Sequence, residues 1–287
     1  GRRRLVLADV SGQHEARAAL LLAAAGGHHM LLNGPPGSGK TMLAERLVTI
    51  LPLLTREQAL ESLAVRSVVG AMPTGIDLVP PFVAPHHSAS VAALVGGGSG
   101  AVLPGAVSQA HHGVLFLDEA AEFGGAVLQA LRQPLESGRI VVSRAREQVT
   151  YPARVQLVLA ANPCPCGEGY GKGLSCRCRP TERRAYAARL SGPLLDRVDI
   201  QVQVPKVSLA DLSEDPPDSS EAVAARVLAA REVQRRRWEP LGWSLNSQVP
   251  GPQLRRRPWR LPSATTSTLD RALDLGQVTV RGYDRIL

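Results

Sequence analysis

The run Gly34–Thr41, GPPGSGKT, constrains this chain more than any other stretch. It follows the short apolar segment HHMLLN and precedes MLAERLVTILPLL, whose apolar residues recur at helical spacing. A strand, a glycine-rich turn and a helix in this order form the phosphate-binding pattern G-x-x-x-x-G-K-[ST]. Gly34, Gly37 and Gly39 let backbone N–H groups curl around phosphate oxygens, where a side chain would collide, and Ser38 and Met42 complete the contact set. Lys40 reaches the β- and γ-phosphates, and Thr41 offers its hydroxyl to Mg²⁺. The helix N-terminus adds partial positive charge. ATP with Mg²⁺ is the expected ligand.

The second half of such a site is an acid pair at the end of a buried strand. GVLFLDEA supplies it: Asp118 to hold the Mg²⁺ shell and Glu119 to polarise the attacking water. A third apolar run, RVQLVLAAN, ends in Asn162, a neutral polar group suited to orienting water near the γ-phosphate. Strands alternating with helices predict an α/β fold on a largely parallel sheet. GAVLQALRQPLESG reads as one helix, and RIVVSRAREQVTYPA as a hairpin. The Pro-, Asp- and Ser-rich stretch after Pro205 marks a boundary between an α/β domain over 1–205 and a smaller helical domain over 206–287.

Composition narrows the partner. Hydrophobic residues make up 44% of the 287 positions but aromatics only 3%, so the core is built from Ala, Val and Leu. Lys and Arg exceed Asp and Glu by 33 − 25 = 8, which favours a polyanion, nucleic acid before a membrane surface. Four cysteines, all within 164–178, exclude a disulfide framework and suit a reducing, cytoplasmic compartment. No segment is long enough for a transmembrane helix, so no membrane partner is expected. The chain begins without methionine and stops inside a helical pattern, as a piece of a longer protein does.

Phosphoryl transfer builds charge that a guanidinium can stabilise. Arg197 in LLDRVDI, ahead of a sheet edge, is placed to serve a neighbouring subunit. Arg281 in TVRGYDR is placed to reach back over its own site. Each fits a surface ion pair as well, with Asp196 or Asp284.

GPPGSGKTMLAERL, APHHSASVAALVGGGS, GVLFLDEAAEF, ALRQPLESGRIVVSRA, VTYPARVQLVLAANPCPCG and LSGPLLDRVDI together resemble the ComM/YifB family of bacterial, magnesium-chelatase-like AAA+ ATPases. The resemblance runs from ADVSGQHEARAAL to RGYDRIL. Family members also carry an N-terminal Lon-protease-like domain and a longer lid. The resemblance implies a hexameric ATP-driven motor on single-stranded or branched DNA, promoting branch migration in natural transformation and recombination. It makes Lys40 and Thr41 Walker A, Asp118 and Glu119 Walker B, Asn162 sensor 1, Arg197 the arginine finger and Arg281 sensor 2. Val10 and Gly12 would line the adenine pocket, 73–112 would be the helix-2 insert and 139–154 the pre-sensor-1 hairpin. A magnesium-chelatase-type motor subunit and a MoxR-like protein-remodelling ATPase are the alternatives.

A DNA motor needs cations on a projecting hairpin, and Arg144 and Arg146 lie near its tip. His86 and His87 are further candidate DNA contacts or simply loop residues. Arg235–Arg237 and Arg255–Arg257 read as solvated faces. Cys164, Cys166, Cys176 and Cys178 form two C-x-C pairs around a glycine-rich loop. A structural four-thiolate Zn²⁺ site, reduced structural cysteines and a redox pair are all compatible with that spacing.

Overall fold

The computed structural model describes residues 5–70, 75–98, 101–143, 148–170, 175–190, 194–213 and 218–287. Its strands are β1 (Met30–Asn33), β2 (Phe82–Val83), β3 (Val114–Leu117), β4 (Arg139–Ser143), β5 (Gln148–Pro152), β6 (Gln156–Ala161) and β7 (Ile200–Gln203). Five form one sheet in the order β2-β3-β6-β1-β7, every neighbouring pair parallel. β4 and β5 make a separate antiparallel hairpin, pairing Arg139 with Pro152 and Ser143 with Gln148. Arg144 and Arg146 lie outside the described residues.

The central strands are apolar apart from Asn33 and Gln156 at strand ends, because both faces are covered. Leu115, Leu117, Leu157 and Leu159 point into one core; Met30, Leu32, Phe116 and Val158 point into the other. The second core is closed by helices His14–Gly26 and Lys40–Ile50 and by Val223 and Val227 of Ser220–Trp238. That last helix comes from beyond the Pro/Asp-rich break. Ser219 caps it, accepting from Ala222 N, and Ser220 Oγ accepts from Leu7 N at 2.7 Å. Its Arg231 and Gln234 donate to the carbonyls of Ala24 and Ala25, which end His14–Gly26. Gly27, at φ +71, closes that earlier helix with its N–H on Ala23 O, as the Gly-Gly pair predicts.

The predicted single helix over GAVLQALRQPLESG is two, Gly125–Ala130 and Arg132–Ser137, broken at Leu131. Pro134 has no N–H for Ala130 O, and its ring crowds that carbonyl. The Arg-rich runs are largely solvated, as expected: Arg235 and Arg236 pair with Glu232 on their own helix, and Arg255 pairs with Asp284.

Candidate nucleotide site

Strand order brings the functional groups together. β6 lies between β1 and β3, with Leu117 level with Leu159 and Asn33 level with Ala161. The phosphate loop, Asn162 and Asp118 therefore leave the same carboxyl-terminal edge of the sheet side by side. Ligands of open parallel sheets sit at that edge.

Lys40 begins its helix behind Gly39, which sits at φ +88. Its ammonium donates to Gly34 O at 2.7 Å, Pro35 O at 2.9 Å and Asn162 Oδ1 at 3.1 Å. Burial lowers the Lys40 pKa, and the charges of Asp118 and Glu119 oppose that shift. Thr41 Oγ1 donates to Asp118 Oδ2 at 2.7 Å, while Asp118 Oδ1 accepts from Glu119 N at 2.9 Å. Glu119 itself is left-handed, at φ 50, and its carboxylate lies 3.2 Å from His87 Nδ1. The Lys40, Thr41, Asp118, Glu119 and Asn162 predicted from the sequence thus converge on one place.

The loop fits a phosphate ligand and its cation. The Ser38 Oγ, Asn33 Oδ1 and Gln13 Oε1 atoms are buried without a hydrogen-bond partner among the described residues. Gly37, at φ +75, has nothing within 4 Å of where a Cβ would stand. Gly34 is needed for close approach, since a Cβ would lie 2.1 Å from Val204 O. Thr41 and Asp118 are the paired oxygen donors that Mg²⁺ uses alongside phosphate. Met42 packs against the second core near fully buried Val10, and Gly12 takes φ +60 beside Asp211.

Three features had no visible signal. Gln13 donates to Ser38 O at 3.2 Å and Pro205 O at 2.5 Å, tying the phosphate loop to the end of β7. Its partners stand 25 and 192 residues away, beyond any local pattern. His87, named as a candidate DNA contact, is paired with Glu119, while His86 Nδ1 meets Ser88 Oγ at 2.8 Å.

Glu136 is the third. Arg197 and Arg281 converge on its Oε1, a shared partner other than the Asp196 and Asp284 that the sequence suggested. Arg197 stands just ahead of β7, whose start is held by Asp199 N and Ile200 N on His29 O. That is the amino-terminal end of the sheet, one strand length (roughly 13 Å at 3.3 Å per residue) from the phosphate loop. Arg281 is therefore beside Arg197 and not over its own chain's loop. Helix Val280–Ile286, which carries it, is also anchored there through Arg285 to Asp199.

Comparison with known proteins gives the chain's kinship. Residues 6–212 match the family profile described as magnesium chelatase, subunit ChlI, and 217–287 match its C-terminal companion. Competence protein ComM of Haemophilus influenzae is 44% identical over 290 residues, covering 100% of this chain and 55% of its own. The chain belongs to the ComM/YifB family of magnesium-chelatase-like AAA+ ATPases. Another ComM/YifB member, the uncharacterised YifB of Escherichia coli K12, is 45% identical over 98% of the chain and 54% of its own length. An uncharacterised Mycobacterium tuberculosis protein, Rv2897c, is 52% identical over 98% and 56%. The chain spans about half the length of these ComM/YifB relatives. A solved BchI–BchD magnesium chelatase complex aligns over 97% of the chain at 22% identity and a TM-score of 0.49. No helix among the described residues is long and apolar enough to cross a membrane.

Proposed function

We propose that the chain is the ATP-hydrolysing core of a ring-forming DNA motor of the ComM type, acting on single-stranded or branched DNA in the bacterial cytoplasm. The convergence of Lys40, Thr41, Asp118 and Asn162 through direct hydrogen bonds carries the ATPase reading. Lys40 would exchange its loop carbonyls for phosphate oxygens. Thr41 and Asp118 would hold Mg²⁺, which neutralises charge developing on the phosphates. Glu119 would take the proton of the attacking water while Asn162 fixes that water's position. Val10 and Gly12 are kept as the adenine side of the site.

Arg197 and Arg281 sit together at the opposite end of the sheet, so both would act on a neighbouring subunit's nucleotide. This is the observation favouring a ring, with a hexamer as the proposed closure and 1–205 and 206–287 as its two working parts. Kinship with a competence protein, a net charge of +8 and a hairpin standing apart from the main sheet favour DNA as the substrate. Arg144 and Arg146 are the proposed grip, with His86 nearby. Zn²⁺ is the proposed occupant of the four cysteines, in a structural role.

The magnesium-chelatase-type motor is the second reading, favoured by the description of the matching family. ATP hydrolysis by the full-length protein, measured against single-stranded and forked DNA, separates the two. Stimulation by DNA is expected; a rate indifferent to DNA sinks the DNA-motor reading.

A further inference from the structure

The cysteine loop does more than follow the sensor strand. Cys164 Sγ lies 3.4 Å from Cys166 Sγ and 3.7 Å from Cys176 Sγ, and Cys166 lies 3.8 Å from Cys176. The sulfurs of all four cysteines, Cys178 included, fall within 4.8 Å of one another. Four sulfurs held about 2.3 Å from a tetrahedral Zn²⁺ stand roughly 3.75 Å apart. A disulfide would need about 2.05 Å, and all four cysteines are free. Backbone N–H groups support the sulfurs: Gly169 N donates to Cys164 Sγ at 3.1 Å, and Glu168 and Arg177 hydrogen-bond Cys166. Such outer contacts orient metal ligands.

This cluster touches the nucleotide site on two sides. Gly167, in the turn closed by its N–H on Cys164 O, sits at φ +78 directly against the ring of Pro36 in the phosphate loop. A Cβ there would lie 2.4 Å from Pro36 Cδ. Beyond Cys178, helix Pro180–Leu190 buries Tyr186 and Leu190 in the first core. Its Arg189 reaches Ala121 O and Glu122, in the turn that follows Glu119. One short loop thus leaves Asn162, abuts the phosphate loop and returns to the acid strand.

We infer that a Zn²⁺ held by the four cysteines sets the shape of the phosphate loop through the Gly167–Pro36 contact, so that metal occupancy controls nucleotide affinity. The inference rests on the zinc reading above and adds a function to it. Without the metal, the two C-x-C arms keep hydrogen bonds such as that between Arg177 and Cys166 but lose their four-sulfur clasp, and the face that backs Pro36 loosens. The nucleotide site is then a metal-dependent one in a second sense, separate from its Mg²⁺.

The test uses the full-length protein purified under reducing conditions. Elemental analysis is expected to give about one zinc per chain, and binding of a fluorescent ATP analogue gives the affinity. A zinc-selective chelator that leaves Mg²⁺ in place should weaken binding by about tenfold, and added Zn²⁺ should restore it. Gly167→Ala should keep its zinc, which reports an intact cluster, yet bind nucleotide several-fold more weakly. Zinc present but affinity unchanged in both the stripped protein and Gly167→Ala overturns the coupling and leaves the zinc reading standing. Absence of zinc, or iron in its place, overturns the zinc reading and the coupling with it.

Discussion

His87 Nδ1 lies 3.2 Å from Glu119 Oε2, so a residue of the Gly/His-rich segment occupies the acid proposed to activate water. An oxygen engaged by an imidazole is a poorer acceptor for a water proton. His87→Ala is therefore expected to raise ATP turnover in the absence of DNA several-fold while leaving nucleotide affinity unchanged. A fall in turnover would show instead that His87 holds Glu119 in its working position.

Lys40 and Glu119 are separable by substitution. Lys40→Ala removes the cation that the loop carbonyls and Asn162 now hold, and nucleotide affinity should drop by at least about tenfold. Glu119→Gln keeps the shape and loses the base, so binding should persist while turnover falls by about 10²–10⁴. Isothermal titration and a phosphate-release assay distinguish the two. Normal hydrolysis by Glu119→Gln would remove that residue from the water-activating role.

The shared ion pair on Glu136 predicts subunit complementation. If Arg197 and Arg281 serve a neighbour, Arg197→Ala and Lys40→Ala each abolish turnover for different reasons, with the arginine worth about 10³–10⁵ in rate. Mixing the two variants should then create interfaces that pair an intact loop with an intact arginine, and activity should reappear. Mixtures that stay as inactive as the separate variants would place Arg197 in the site of its own chain, or out of it.

Acid stability should be set by two imidazoles. Burial pushes His29 and His111 down to about 4 from the ordinary 6.5. Both stay neutral in the fold: His29 Nδ1 accepts from Leu157 N, and His111 Nδ1 accepts from Arg154 N. Between pH 6.5 and about 4 the unfolded chain binds more protons than the folded one, so stability falls as pH drops through that window. Chemical denaturation should show a midpoint falling from pH 7 to 4.5, with a flatter profile for His29→Gln. The lowered carboxylates Glu61, Glu136 and Asp199 contribute at still lower pH, below their ordinary range. A midpoint constant between pH 7 and 4.5 would contradict the assignment.

The parts of the fold legible in the sequence were those written in local pattern. The phosphate loop, the acid pair and the strand ending at Asn162 carry their signals within a few residues, and their predicted elements stand in the structure. The parallel order β2-β3-β6-β1-β7 followed in class but not in detail, because pairing joins residues such as Phe82 with Val114 and Met30 with Ile200, far beyond any local pattern. Gln13, Glu136 and the His87–Glu119 contact were illegible for the same reason. Pro134 did carry its warning, and the predicted long helix broke where that residue removes a donor.

β1 is only four residues long, yet both of its ends carry weight. Its carboxyl end feeds the phosphate loop. Its amino end, through His29 and Asp199, meets the latch made by Arg285. In the ring proposed above, this strand would be a push-rod. Gripping its own nucleotide and leaning on its neighbour would then be tasks at two ends of one strand, so that a change at one end has a short path to the other.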